Sequence, residues 1–267
     1  MKRSGSGLSS ALRAFPEIDA LLGDRPAIFL DYDGTLTPIV PDPNKARIGD
    51  EERAVLKVLS EIVPVAIVSG RNLDQLRALV AMDGLIYSGN HGWEIEGPDV
   101  ALFEHPLKDA VQRELEVAYQ ELANGARHLP GVAVERKRFS IAVHTRRVDS
   151  DPVREAAVGL AIRIVRSFDR LKLVAGKEIA ELRPAVAWDK GAAVGMLLDS
   201  LSPTRIPIYI GDDQTDEDAF AEAARRQGVG VVVGRPNETA AGFWLAGPGE
   251  VLAFLGELGR RIQKAMP

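Results

Sequence analysis

The sequence predicts an α/β protein with a parallel-sheet core and an inserted α+β domain, and three observations predict it. Short β-rich runs at 27–31, 64–68, 85–88, 206–210 and 229–233 alternate with helical patterns, as strands of a helix-covered parallel sheet do. The middle of the chain breaks that alternation. There, 107–127 and 151–169 read as long amphipathic helices, each followed by an antiparallel-looking pair, 131–137 with 139–146 and 171–175 with 178–183. The third observation is Arg183-Pro184, where the chain crosses back, so the expected domains are 1–106 and 184–267 for the core and 107–183 for the insertion.

Taken in order, the first core strand runs into 26-PAIFLDYDGTLTPIV-40 and ends in paired negative charge. Asp31 and Asp33, at i and i+2, can point to one side while Gly34 lets the chain turn. A bare Asp-Gly turn explains the pair equally well. Strand 64–68 is followed by 68-VSGR-71 and a helix from near Asn72, and strand 85–88 by 89-GNHGWE-94. Other helices are expected to begin near Asp50, Lys190 and Thr215, several behind an Asp, Asn or Thr cap. Strand 206–210 ends in 211-GDDQTDEDAF-220, placing Asp212, Asp213 and Asp216 on a loop before a helix. Acidic residues suit a helix N-terminus for electrostatic reasons alone. Ligands of such a sheet gather beyond the carboxyl ends of its strands.

Composition narrows the partner. The 267 residues are 46% hydrophobic, enough for a real core, with a formal charge of −5 and no long basic run. A nucleic acid or an anionic membrane therefore has little electrostatic support, and a small molecule is the expected partner. Cysteine is absent, which excludes disulfides, thiolate metal sites and a cysteine nucleophile. The start, MKRSGSGLSSALRAF, has no apolar stretch of signal-peptide length and no run approaches ~20 apolar residues. A cytoplasmic protein is expected.

Two strands ending in clustered carboxylates fit a hard, oxygen-preferring ion such as Mg2+. Ser69 and Gly70 precede a helix mouth and suit a phosphate contact. Lys190, in 189-DKG-191, fits either an ordinary surface lysine or a phosphate contact. Joined, these residues describe an aspartate attacking phosphorus. That attack requires cancelling charge repulsion of ~4 kcal/mol per pair near 4 Å at an effective dielectric of 20. Asp31 is the expected nucleophile, forming an aspartyl-phosphate, with Asp33 as general acid and base.

FLDYDGTLTPI, VSGR, the lysine of DKG and GDDQTDE resemble, in order and spacing, the four motifs of haloacid-dehalogenase-type (HAD) phosphatases. The resemblance implies a HAD-like (Rossmannoid) core with a cap domain. It also implies Mg2+ held by the Asp31 carboxylate, the Asp33 main-chain carbonyl and Asp212, with Arg71, His91, Asp213 and Asp216 around them.

Substrate choice is sought in the insertion. In 134-VERKRFSIAVHTR-146 and 176-GKEIAELRP-184, the period of two puts Glu135 with Lys137, and His144 with Arg146, on shared faces, while Lys177 and Glu181 lie on a third segment. Six hydrogen-bonding groups on one small sheet suit a hydroxyl-rich ligand, although a solvated sheet face carries such residues anyway. ExK, HxR and KxxxE, together with GNHGWE and the DYDGTLTPI start, resemble trehalose-6-phosphate phosphatases over roughly residues 26–220. That resemblance implies that the six residues bind sugar hydroxyls, and that the chain is a stand-alone trehalose-6-phosphate phosphatase of trehalose biosynthesis, functionally linked to a separate trehalose-phosphate synthase. His91 is expected near the sugar or as a turn residue. Rival readings are a sucrose-phosphate or mannosyl-phosphoglycerate phosphatase, a phosphomannomutase, a phospho-aspartate receiver and a non-catalytic trehalose-6-phosphate sensor.

Overall fold

The computed structural model describes residues 3–98, 100–176, 178–202 and 204–265. The chain forms two compact units, Met1–Glu104 with Trp188–Pro267, and His105–Ala187.

In the first unit, five central strands arise where the sequence predicts them. Pro26–Leu30 is flanked by Ile206–Gly211 and Val65–Val68, with Val229–Val233 beyond the former and Ile86–Gly89 beyond the latter, all parallel. Every residue of Pro26–Leu30 is buried, the mark of a strand covered on both faces. Ile28 and Leu30 join the core formed with helices Phe15–Leu22, Asp50–Ser60, Leu73–Val80 and Pro248–Ala265. Ala27 and Phe29 join that of Lys190–Leu201 and Glu217–Arg225. Because the strand order reverses at Pro26–Leu30, a crevice opens at its carboxyl end, where Asp31 follows.

Among the described residues the sheet has nine strands. The extra ones are Phe243–Leu245 and Ser9–Ser10 at one edge and the antiparallel hairpin Glu94–Gly97 with Val100–Glu104 at the other. These are short or mixed in polarity and give no distinct periodic signal. The two terminal helices, Phe15–Leu22 and Pro248–Ala265, were likewise not expected from the sequence.

Local chemistry sets the helix starts near the crevice. Asn72 accepts from the Gln75 N–H at 2.8 Å, and Asp189 accepts from the Ala192 N–H at 2.8 Å, so both are N-caps. Asp50 is instead the first helical residue, behind Gly49, with Glu51 and Glu52 beside it in the favourable first turn. The helix expected near Thr215 begins as a single 3-10 turn, Gln214–Asp216, and becomes α-helical at Glu217.

The second unit is a four-stranded antiparallel sheet in the order Leu171–Gly176, Ile179–Pro184, Ser140–His144, Ala133–Lys137. Helices Lys108–Ala126 and Asp151–Val165 pack against it. Ile141, Val143, Ala180 and Leu182 are buried and alternate with the polar positions, so the opposite face carries Glu135, Lys137, Ser140, His144, Glu181 and Arg183. One expectation is corrected here. The strand ends at His144, so Arg146 lies past the sheet rather than sharing its face. Its side chain is exposed, with Nε 3.3 Å from Glu178. Lys177 lies outside the described residues.

Candidate active site

Asp31 leaves the sheet at the crevice, where its side chain is buried and meets an equally buried lysine. Lys190 Nζ donates to Asp31 Oδ1 at 2.6 Å and to Asp216 Oδ1 at 2.7 Å. A lysine only 2% exposed is not the ordinary surface residue that its sequence position also allowed. Burial alone would depress its ammonium, but Asp31 and Asp216 outweigh burial and raise its pKa.

Asp216 anchors the group. Its Oδ1 also accepts from the Tyr209 hydroxyl at 2.6 Å, and its Oδ2 accepts the N–H groups of Asp212 and Asp213 at 3.0 and 2.9 Å. All acceptor positions are thereby occupied, so Asp216 shapes the loop and fixes Lys190. Asp213 is exposed and caps the 3-10 turn, accepting from Gln214 N–H at 2.6 Å, and its charge adds to the rise in the Asp212 pKa.

Asp212 stands over the turn that follows Asp31. Gly34 has φ +85°, and a Cβ there would lie 2.1 Å from Asp212 Oδ2, so both backbone and space require glycine. Thr35 Oγ1 donates to Asp212 Oδ1 at 3.4 Å. Carboxylate oxygens of Asp31, Asp212 and Asp216 lie within 4.8 Å of one another, with Lys190 as the shared buried cation. Burial pushes Asp31 well above the usual carboxylate range despite Lys190, with Asp216 and Asp212 adding to the rise. Burial and then Asp216 push Asp212 up to about 6. Hard oxygen donors carrying uncompensated negative charge fit a divalent cation.

Asp33 takes a different partner. Arg71 clasps it through Nε to Oδ2 and Nη2 to Oδ1, both at 2.6 Å, and the guanidinium lies 5.6 Å from the Tyr32 ring centroid. Ser69 is buried, its Oγ accepting from Arg71 N–H at 3.2 Å. Exposed Gly70 has no room for a side chain, since a Cβ would meet the His91 ring at 2.7 Å. His91 is held by its N–H to Ser69 O at 2.9 Å, with φ +57°. The crevice thus gathers Asp31, Asp33, Ser69, Gly70, Arg71, His91, Lys190, Asp212 and Asp216.

Within the second unit, the register makes rows across the polar face. Glu135 and Glu181 flank Ala142, and Lys137 pairs with Ser140 one row on, towards Arg183. His144 Nε2 lies 2.9 Å from Glu135 Oε2. Glu181 accepts from Ser140 Oγ and Arg183 Nε, each at 2.7 Å, with Lys137 Nζ 3.6 Å away.

A family model described as Trehalose-phosphatase matches residues 29–245, which spans the crevice motifs and the insertion. The chain belongs to the trehalose-phosphatase family. A probable trehalose-phosphate phosphatase of Oryza sativa subsp. japonica is 40% identical over 92% of this chain and 69% of its own length. A Mycobacterium tuberculosis protein described as an uncharacterized glycosyl hydrolase is 41% identical over 98% of this chain, which spans only 20% of that protein. Among solved structures, an Aspergillus fumigatus trehalose-6-phosphate phosphatase is 26% identical, with TM-score 0.71, over 96% of this chain and 100% of that one. The fold, a parallel-sheet core with an inserted α+β unit, is the HAD-like one. Among the described residues, no helix is long and apolar enough to cross a membrane.

Sequence reasoning missed Tyr209, Thr35, Ser140 and Arg183. Tyr209 reads as one more apolar strand residue in IPIYIG, and Ser140 and Arg183 are single polar residues among apolar neighbours. The lysine at Lys190 was legible only through its motif.

Proposed function

We propose that this chain is a phosphoric monoester hydrolase acting on trehalose 6-phosphate, releasing trehalose and phosphate. What carries the reading is the buried Asp31–Lys190–Asp216 chain beside Asp212, in a member of the trehalose-phosphatase family. Relatives named as trehalose-phosphate phosphatases support the substrate.

Asp31 is the nucleophile. Its oxygen attacks phosphorus, the bond to the sugar oxygen breaks, and an aspartyl-phosphate remains. Lys190 holds the attacking carboxylate in place and offsets charge on the phosphoryl group. Ser69 and the Gly70 N–H receive phosphoryl oxygens, and the bare Cα of Gly70 permits the approach. Asp33, once protonated and with an oxygen freed from the Arg71 clasp, gives a proton to the leaving sugar oxygen, then takes one from the water that cleaves the aspartyl-phosphate. Mg2+ fits the donor set: the Asp31 and Asp212 carboxylates and the Asp33 main-chain carbonyl would hold it, and when bound it supplies charge neutralisation for the phosphoryl group.

The 105–187 unit is read as the specificity cap, with Glu135, Lys137, His144 and Glu181 receiving sugar hydroxyls. Arg146 and Lys177 remain candidates for further contacts to the sugar. Phosphate release from trehalose 6-phosphate, sucrose 6-phosphate, mannosyl-3-phosphoglycerate, glucose 6-phosphate and p-nitrophenyl phosphate, with and without chelator, tests the reading. Preference for trehalose 6-phosphate, abolished reversibly by chelation, is expected. A higher kcat/KM on another member of the panel rejects the substrate, and full activity after exhaustive chelation rejects the metal.

A further inference from the structure

Glu181 is held more tightly than any other acid on the exposed sheet face. Ser140 Oγ donates to Oε1 at 2.7 Å, while Arg183 brings Nε to 2.7 Å and Nη2 to 2.5 Å of Oε2. Lys137 Nζ stands 3.6 Å from Oε1. Burial by itself would raise the carboxyl's pKa, but the Ser140 and Arg183 hydrogen bonds and the two cations outweigh it and hold Glu181 below the ordinary range. Glu135, in the same row, is half exposed and has His144 as its close partner. Its orientation is correspondingly less constrained.

Counting acceptor positions sharpens the point. A carboxylate offers about four. Arg183 faces both positions on Oε2, and Ser140 takes one on Oε1. The position that remains is on Oε1, the oxygen that Lys137 also approaches. Ala142, directly between Glu135 and Glu181 in the register, extends only one carbon from the sheet.

We propose that Ser140 and Arg183 are positioning residues that lock Glu181 as the acceptor for a single sugar hydroxyl, which in turn accepts a hydrogen bond from Lys137. A hydroxyl both donates and accepts, so it matches a carboxylate and an ammonium set side by side, whereas a carbonyl or ether oxygen would leave Oε1 unmatched. The proposal rests on the reading of the chain as a sugar-phosphate phosphatase and names the device that makes this part of the polar face selective.

The test is the ratio of kcat/KM for trehalose 6-phosphate to that for p-nitrophenyl phosphate, which has no hydroxyl to offer. Ser140→Ala and Arg183→Met should each lower the ratio about tenfold, mainly through KM for the sugar phosphate. Ser140→Thr and Arg183→Lys should recover part of it. In a Glu181→Gln background, Ser140→Ala should cost nothing further, because both act through one carboxylate. Arg183 is half exposed, so its variants test the idea even where an altered Ser140 weakens folding. Losses that are equal on both substrates, that persist in the Glu181→Gln background, or that appear only in Tm overturn the proposal. Should wild type prefer another sugar phosphate, the substrate reading falls and the same ratio is taken with that sugar. A wild type with no preference for any sugar phosphate overturns both.

Discussion

At the end of strand Pro26–Leu30, two carboxylates share one buried lysine and a third, Asp212, lies within 4.8 Å of them. On the exposed face of the 105–187 sheet, one carboxylate, Glu181, has a hydroxyl, a guanidinium and an ammonium to itself. The consequence is opposite in sign. Asp31 and Asp212 are pushed up, and Glu181 is held down. A site that must accept a cation and a phosphate dianion keeps an unbalanced charge, at a cost in stability. A site that must present one fixed acceptor to a neutral hydroxyl surrounds a single carboxylate with two cations.

Asp31→Asn tests the unbalanced side most strongly. Turnover should fall by at least ~10⁴-fold, as for removal of a nucleophile. Thermal stability measured with chelator should stay level or rise, because the charged carboxylate is disfavoured where it sits. A large drop in Tm would mean that Asp31 holds the fold together, and the contrast with Glu181 would fail.

Asp33→Asn comes next. Loss of general acid and base catalysis is expected to lower kcat on a sugar phosphate by ~10²–10⁴-fold. The loss should be smaller on p-nitrophenyl phosphate, whose leaving group departs without a proton. Equal losses on the two substrates would assign Asp33 and its Arg71 clasp to binding or folding.

Lys190→Met removes the one buried cation of the cluster. Breaking such a pair leaves uncompensated buried carboxylates and should cost about 3–5 kcal/mol in denaturant unfolding. A cost near zero would show that Asp31 and Asp216 had simply taken up protons, and the charge imbalance would be smaller than the geometry implies.

How much of this was legible follows from where each signal resides. The five central strands are continuous apolar runs bounded by turns, and Asp31, Asp33 and Asp212 stand beyond the ends of two of them, with Lys190 at the start of a helix, in recognisable spacing. Their convergence is a property of parallel topology. Three features were not legible. Asp213 and Asp216 are equivalent as letters in GDDQTDE, yet one is an exposed cap and the other a buried anchor with every lone pair engaged, which only the loop conformation decides. Arg146 continues the alternating HTR pattern, but the strand ends at His144, where the chain turns so that Thr145 N–H bonds Glu178 O at 2.9 Å. Ser140 and Arg183 lie 43 residues apart in sequence. Their meeting at Glu181 depends on strand register, which local pattern does not specify.

The smallest effect discriminates best, because the two sites should respond to acid with opposite slopes. Glu181 has a folded pKa below its ordinary 4.5. Its contribution is therefore fully present above pH 4.5 and is lost as pH falls through the lower folded value. The stability difference between wild type and Glu181→Gln should be flat at neutral pH and shrink in acid. Asp212 is raised from 3.8 to about 6, so its ionised form is penalised above that pH, and the penalty disappears as pH falls towards 3.8. With chelator present, wild type should gain on Asp212→Asn as pH falls from about 7 to about 4, over the range in which the Glu181 difference stays flat. Tm measured for the three proteins from pH 7 to pH 3 gives both difference curves. Curves that bend the same way would mean that the carboxylates of the crevice are as well matched as Glu181, which removes the physical case for a cation there.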